Sequence, residues 1–258
     1  MYRAKKRFGQ NFLHDPGVIH NIIQAISPGP TDTVLEIGPG QGVLTSILCP
    51  LVKSLDIIEI DRDLCQLLTK TLGNHANLKL HQQDVLSVDF AAFFSEFEQK
   101  VKVVGNLPYN IATEIMFRLV LQTNHISAMF FLVQQEVANR LSASPGTKSY
   151  GRLGIMVGLY CEVKTLFNVP PESFMPEPKV QSSFIYLRPY SKPKYIIKDR
   201  VLFSALIKQA FSQRRKKISN SLQGRVDQAQ FVMAEIDPHQ RAEDITIAQY
   251  VKLCNLLS

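Results

Sequence analysis

The chain has 258 residues, 45% hydrophobic and 20% charged, and its 29 lysines and arginines against 22 aspartates and glutamates give a formal charge of +7. That composition excludes a disordered tail, a collagen-like fibre and a disulfide-rich mini-domain, and the length allows one large domain, or one plus a small appendage, around a core that needs no staples. The basic excess suggests a polyanionic partner, and it is unevenly placed: residues 1–187 hold 16 basic and 16 acidic side chains, whereas residues 188–258 hold 13 and 6.

The sequence opens on the basic cluster Arg3, Lys5, Lys6 and Arg7, followed by Phe8-Gly-Gln-Asn-Phe-Leu13. No apolar run follows these basic residues, so no signal peptide is expected. Nowhere does an apolar run approach the ~18 residues of a membrane span, so the expectation is a cytoplasmic protein without membrane contact. Thr33–Ile37 is a predicted strand, then comes the turn Glu36-Ile-Gly-Pro-Gly-Gln-Gly42, then helical spacing from Val43 to Leu51. Glycines let the backbone turn sharply and approach a ligand with no Cβ in the way. A dinucleotide-binding G-x-G-x-x-G does not fit, because Val43 stands where its third glycine belongs;. Pro39 also removes one backbone donor from any phosphate cradle. The spacing E-x-G-x-G-x-G suits a nucleoside carrying no phosphate, although a purely structural tight turn would use the same residues.

Ser54–Ile60 reads as the second strand, leading into a helix over 62–72 with Leu64, Leu67, Leu68 and Leu72 on one face;. Glu59 closes that strand, where a carboxylate can accept both hydroxyls of a ribose; beside Asp61 and Asp63 it could equally be a solvated charge. Leu78–Leu80 is the third strand, and Asp84 after it is placed to accept from an adenine amino group. Val101–Val104 is the fourth strand, Ile111–Leu121 a helix and Ala128–Val133 a buried strand. This alternation predicts an α/β fold with a mostly parallel, twisted sheet and functional loops at the strand carboxyl ends.

Beyond Pro170-Pro171 the texture changes. Phe174-Met-Pro-Glu-Pro-Lys179 is a proline-punctuated loop, Val180–Leu187 a closing strand, and Pro189 and Pro193 mark a linker. From Asp199 on the pattern is helical, which predicts a sheet domain over 1–187 and a small all-helical domain over 188–258. Leu202–Leu222 reads as one amphipathic helix with Arg214, Arg215, Lys216 and Lys217 near its end, and residues 188–217 carry ten basic side chains against the single acid Asp199. Such residues neutralise phosphates and position a nucleic acid without reading its sequence; a solvated helix face is the plainer alternative. The four cysteines, Cys49, Cys65, Cys161 and Cys254, are scattered without a CxxC pair, and the histidines are dispersed, so reduced thiols and no metal site are expected;.

Gly105-Asn-Leu-Pro-Tyr-Asn110 follows the fourth strand, and here Asn106-Leu107-Pro108-Tyr109 resembles the N-L-P-Y motif of methyltransferases that act on the amino group of adenine. An exocyclic amine is a poor nucleophile because its lone pair is delocalised into the ring. An Asn side-chain oxygen and a backbone carbonyl beside a proline, both accepting from that NH2, favour the pyramidal nitrogen that attacks a sulfonium methyl, while Tyr109 stacks on the base and fixes the line of attack.

From Phe8 to the end, the chain is similar to the ribosomal RNA small-subunit adenine dimethyltransferases. The likeness rests on FGQNFL, EIGPGQGVLT, Glu59-Ile-Asp61, NLPYNI, Phe174-Met-Pro-Glu-Pro-Lys-Val180 and Arg214-Arg-Lys-Lys217 with Ile-Ser-Asn-Ser-Leu222; Ala112 stands where several relatives carry Ser. The resemblance implies a Rossmann-like methyltransferase that uses S-adenosylmethionine as methyl donor and no metal. It implies that Asn11, Leu13, Gly38, Gly40, Glu59, Asp84 and Asn106 contact that donor, that Asn106 to Tyr109 face the adenine, and that Phe174 stacks on its other side. The implied substrate is a pair of adjacent adenines in a small-subunit rRNA hairpin within the 30S subunit, each receiving two methyls, with a role in subunit biogenesis and a monomeric enzyme. The target base must leave its stack to reach such a pocket, and duplex RNA would be recognised by shape. Three other readings stand beside this one: a large-subunit rRNA adenine methyltransferase, a DNA adenine methyltransferase, which would usually carry D/N-P-P-Y and a separate recognition domain, and a non-catalytic ribosome-assembly factor.

Overall fold

Asp15, Asp61 and Asp199 each start a helix in the same way, with a short carboxylate that accepts backbone N–H groups otherwise left unpaired at a helix start;. The computed structural model that shows this describes Lys5 and residues 9–258. Arg3, Lys6 and Arg7 of the basic cluster and Phe8 of the motif after it lie outside the described residues. In the helix Pro16–Ile26, Asp15 accepts from Gly17 and Val18, Pro16 supplies the preset first turn, and Ile19, Ile22 and Ile26 form the buried stripe;.

The strands in chain order are β1 (Phe12–Leu13), β2 (Thr33–Ile37), β3 (Ser54–Glu59), β4 (Leu78–Gln82), β5 (Val101–Asn106), β6 (Ile126–Gln134), β7 (Cys161–Val169), β8 (Phe174–Met175) and β9 (Ser182–Pro189). Among the described residues seven of them form one sheet in the order β4-β3-β2-β5-β6-β9-β7, and β1 pairs with β8 apart from it. β4 to β6 are parallel to one another, and β9 runs antiparallel to β6. All five residues of β2 are buried, as expected of an inner parallel strand covered on both faces;. The order proceeds from β2 to β3 on one side and to β5 on the other, so the crevice between β2 and β5 is the topological switch point at which Rossmann-like sheets bind ligands. Full burial of each Leu, Ile or Phe in this core stabilises by ~1.5–3 kcal/mol.

The predicted strands occur with small changes of boundary: β6 is longer than Ala128–Val133, and β9 begins at Ser182 rather than Val180. β7 escapes sequence reading because only its two ends are buried, and Glu162 and Lys164 interrupt its pattern. The expected helix Leu202–Leu222 is not continuous. It ends at Ala210, a short 3-10 turn covers Phe211–Gln213, and a new helix runs from Ile218 to Ser221. At three and four residues beyond Phe211, where an unbroken helix would continue its apolar stripe, stand the exposed Arg214 and Arg215, and burial resumes only at Ile218;.

Two compact units emerge: residues 1–138 with 163–189, and residues 139–162 with 190–258. The second takes in 139–162, which the boundary at 187 left with the sheet. The reason is packing: Tyr150, Ile155 and Leu159 are buried in one cluster with Phe203, Leu206, Ile207 and Tyr250. No described helix is long and apolar enough to cross a membrane.

Candidate functional site

The carboxyl ends of β2, β3, β4 and β5 open onto a cavity of about 790 Å³. Asn11, Leu13, Gly38, Gly40, Glu59, Asp84 and the whole of Asn106–Tyr109 line it, so residues nearly a hundred positions apart meet in one crevice. The volume lies within the ~300–1,000 Å³ range of ligand pockets.

Gly38, Gly40 and Gly42 all have left-handed backbone, with φ of +68°, +59° and +82°, which explains why the turn after β2 spends three glycines. At Gly40 a Cβ would sit 3.0 Å from the Phe12 ring, tight enough that the ring would have to shift slightly away from the loop. Gly105, the penultimate residue of β5, is needed for another reason: a Cβ there would come within 2.6 Å of the Ile37 carbonyl across the crevice.

Three acids are buried at this end of the sheet: Glu36 at 2%, Glu59 at 6% and Asp61 at 1% exposure. Glu36 accepts from the Thr45 hydroxyl at 2.7 Å. Burial pushes its carboxyl up to about 7, the Thr45 bond pulls it back, and the Glu59 charge adds a smaller push upward;. Burial likewise raises Glu59, against backbone N–H groups of Asp61, Gly40 and Ile60 that favour its charged form; the Asp61 N–H donates to Glu59 Oε1 at 2.8 Å. Asp84, at the exposed rim, accepts from the Leu86 N–H at 2.9 Å and caps the turn Val85–Ser87.

At the other wall Asn106 Nδ2 donates to the Asn11 carbonyl at 2.8 Å. Because that partner can only accept, the amide orientation is fixed, with Oδ1 left over as an acceptor. The Pro108 carbonyl takes the Ile111 and Ala112 N–H groups at 3.1 and 3.0 Å, so both its lone pairs serve the first turn of the helix Ala112–Val120. The Tyr109 hydroxyl shares a 2.6 Å hydrogen bond with the Ser182 hydroxyl. Ser182 is fully buried on β9, and no sequence pattern marks it as part of this site. No cysteine, lysine or arginine lines the cavity among the described residues, and burial pushes the nearby Cys65 thiol up to about 11, away from nucleophilic character;. Acceptor atoms, a carboxylate and an aromatic face suit group transfer from an activated donor to an amine.

Phe174 is not in the cavity lining; its side chain has no exposure and packs in the core beside Ile19 and Ile22. Leu13 pairs with Phe174 and Phe12 with Met175, so strand alternation turns Phe174 inward and leaves Met175 65% exposed;. A stacking role for Phe174 requires its ring to leave that packing.

The basic run divides as well. Arg214 turns toward its own unit, donating to the carbonyls of Lys148 and Tyr150 at 2.6 and 3.3 Å and to Glu243 Oε2 at 2.9 Å. Lys217 Nζ meets His239 Nδ1 at 3.0 Å, and its backbone bridges to Arg241. Arg215 and Lys216 are exposed and have no ion pair among the described residues.

The sequence model of a family described as ribosomal RNA adenine dimethylase matches residues 1–258. A ribosomal RNA small subunit methyltransferase A from Pseudomonas aeruginosa is 45% identical over 257 residues, which span all of this chain and 96% of the relative. Among solved structures, a dimethyladenosine transferase from Plasmodium falciparum superposes with a TM-score of 0.76 over 94% of this chain and 95% of that one, at 24% identity, a likeness of fold alone. The 23S rRNA methyltransferase ErmE superposes with a TM-score of 0.70 at 26% identity, over 96% of this chain and 99% of its own.

Proposed function

The chain belongs to the ribosomal RNA adenine dimethylase family, and from that membership we propose that it transfers methyl groups from S-adenosylmethionine to N6 of two adjacent adenines in a small-subunit rRNA hairpin, giving N6,N6-dimethyladenosines. The observation that carries the reading is the fixed Asn106 amide, whose Oδ1 remains to accept from an amine while Nδ2 is held by Asn11. The small-subunit choice is supported by 41–45% identity to relatives named small subunit methyltransferase A, against 26% to the 23S enzyme.

The cradle fits the donor: a Cβ at Gly40 would crowd the Phe12 ring and take space from the cavity, and Glu59 is a buried carboxylate that two ribose hydroxyls can share. In this reading Gly38, Gly40, Asn11 and Leu13 wall the donor, Glu59 accepts from its ribose, and Asp84 accepts from its adenine amino group. S-adenosylmethionine supplies an electrophilic sulfonium methyl, so no nucleophilic side chain and no metal is required. Asn106 Oδ1 and the carbonyl of Leu107, the one beside Pro108 that the helix does not use, accept from the target amine and localise its lone pair toward the methyl. Tyr109, its hydroxyl tied to Ser182, stacks on the base and holds the attack in line. Phe174 becomes the second stacking surface once its ring swings out of the core. The nitrogen loses its proton after transfer, and the pocket accepts a singly methylated amine for the second round.

Arg215 and Lys216 contact rRNA phosphates, whereas Arg214 and Lys217 mainly shape the surface that presents them. The partner is the small ribosomal subunit during its biogenesis, and the enzyme acts as a monomer in the cytoplasm. The test is to incubate the protein with radiolabelled S-adenosylmethionine and small subunits lacking the modification, then map the labelled nucleosides. Dimethyladenosine at two adjacent positions is expected. Label confined to large-subunit RNA or to DNA overturns the reading, and subunit binding without any label points to an assembly factor.

A further inference from the structure

The segment that walls the cavity from Gly9 to His14 is held at both ends, and the two holds differ in kind. At its carboxyl end Leu13 pairs with Phe174, the His14 N–H donates to the Ser173 carbonyl at 3.0 Å, and Asp15 caps the following helix. At its amino end the hold is ionic. The Lys5 ammonium donates to Asp61 Oδ1 and to Asp63 Oδ2, both at 2.7 Å. The Lys5 N–H donates to Gln10 Oε1 at 2.8 Å, and Gln10 Nε2 donates in turn to Asp61 Oδ2 at 3.3 Å.

These contacts link backbone, amide, ammonium and carboxylates into one network that reaches the cavity lining at Gln10. The Asp61 side chain is fully buried while that of Asp63 is 59% exposed. Without the ammonium, Asp61 would keep a buried negative charge next to Glu59 and lack this counter-charge, an arrangement that burial makes costly. The two carboxylates in turn hold the ammonium above its ordinary range. Midway between the two holds lies Asn11, whose carbonyl receives the Asn106 amide at 2.8 Å.

We infer that Lys5 is a positioning residue of the methyl-transfer site: its bridge to Asp61 and Asp63 pins the amino-terminal segment, and through the Asn11 carbonyl that segment keeps Asn106 Oδ1 turned toward the acceptor amine. The inference rests on the reading of the cavity given above. An Asn amide carries a donor and an acceptor at two corners of one plane, so a half-turn exchanges them; only one orientation can accept from an amine. The same pin keeps the Phe12 ring against Gly40, which ties donor affinity and amide orientation to one ion cluster 50 residues away in sequence.

The test uses the full-length protein, with S-adenosylmethionine binding measured by calorimetry and methyl transfer to unmodified small subunits measured in a single turnover. Lys5→Met should weaken S-adenosylmethionine about fivefold and slow the single turnover about tenfold, as befits loss of a charge-assisted contact; it should also lower the thermal midpoint, because Asp61 stays buried without this counter-charge;, so both are measured well below that midpoint. Lys5→Arg should restore most of both, and Asp63→Asn should show a smaller loss. The difference in affinity between parent and Lys5→Met should shrink only in part between about 0.05 M and about 1 M KCl, because the exposed Asp63 contact is screened while the buried Asp61 contact is not;. Equal affinity and rate for parent and Lys5→Met overturn the inference, as does a Lys5→Arg variant that restores neither. A parent protein that fails to bind S-adenosylmethionine at all overturns the reading of the cavity and this inference with it.

Discussion

In the unit formed by residues 1–138 and 163–189 the charges assigned to the proposed function are acids and they are inside; in the unit formed by 139–162 and 190–258 they are bases and they are outside. The first unit carries 14 basic and 15 acidic side chains, the second 15 and 7. Glu36 and Glu59 give up solvent to stand at the crevice, whereas Arg215 and Lys216 keep theirs. A buried carboxylate costs desolvation and is useful only to a ligand that arrives in one geometry. An exposed cation costs nothing to display and attracts any phosphate within a Debye length. On the function proposed above, the same elementary charge would serve a small, precisely docked molecule in one place and a long polyelectrolyte in the other, and burial decides which.

Substitutions that touch only one side of this contrast give the sharpest tests. Asn106→Ala should reduce turnover ~100-fold or more, by the measure of other preorganised hydrogen-bonding groups at reacting centres, while filter binding shows rRNA affinity intact. Equal loss of both would join the two functions that the contrast keeps apart. Glu59→Gln should weaken S-adenosylmethionine by ~10–100-fold, the range of a charged hydrogen bond of ~1.5–3 kcal/mol, again with rRNA affinity unchanged; calorimetry reads it directly.

Glu36 tests the cost of burial itself. Its folded carboxyl titrates at about 7 against an ordinary 4.5, so between those values the folded chain binds more protons than the unfolded one. Stability from this group therefore falls as pH rises through that window. Glu36→Gln should raise stability by up to ~3 kcal/mol at alkaline pH and leave it nearly unchanged in acid, which thermal melts across pH will show. Smallest is the effect on the outer face: replacing Arg215 and Lys216 by alanine should lower the salt slope of rRNA binding by ~2 and spare S-adenosylmethionine. Arg214→Ala should instead cost ~1 kcal/mol of stability, through the lost carbonyl and Glu243 bonds;.

Much of the first unit was legible because its signals are local. A strand runs into a glycine turn at Gly38–Gly42, two further strands end beside the acids Glu59 and Asp84, and Asn106–Tyr109 is contiguous. The parallel sheet and the lining of the cavity follow from that repetition. What escaped depends on residues that meet only after folding. Ser182 reaches Tyr109 across 73 positions and Lys5 reaches Asp61 across 56, and neither pairing leaves a periodicity to read. Phe174 is expected at the base, and a two-residue ladder with Leu13 turns its ring into the core, so that role needs a movement no sequence pattern announces. The basic run was read as one helix because charge does not reveal where an apolar stripe ends; Phe211 is that end. Residues 139–162 joined the second unit through Tyr150, Ile155 and Leu159, whose partners lie more than forty positions downstream.

Gly105 has a consequence for how tolerance to change is distributed over this surface. Its missing Cβ is what lets β5 close to within contact of the Ile37 carbonyl, so the aperture between the two strands is set by an empty volume rather than by any side chain. Adding a single methyl there acts as a wedge. It would force the two strand ends apart, since the carbonyl it meets is backbone and cannot turn aside, while every residue that would touch a ligand keeps its identity, so affinity should fall although the inventory of contacts looks complete.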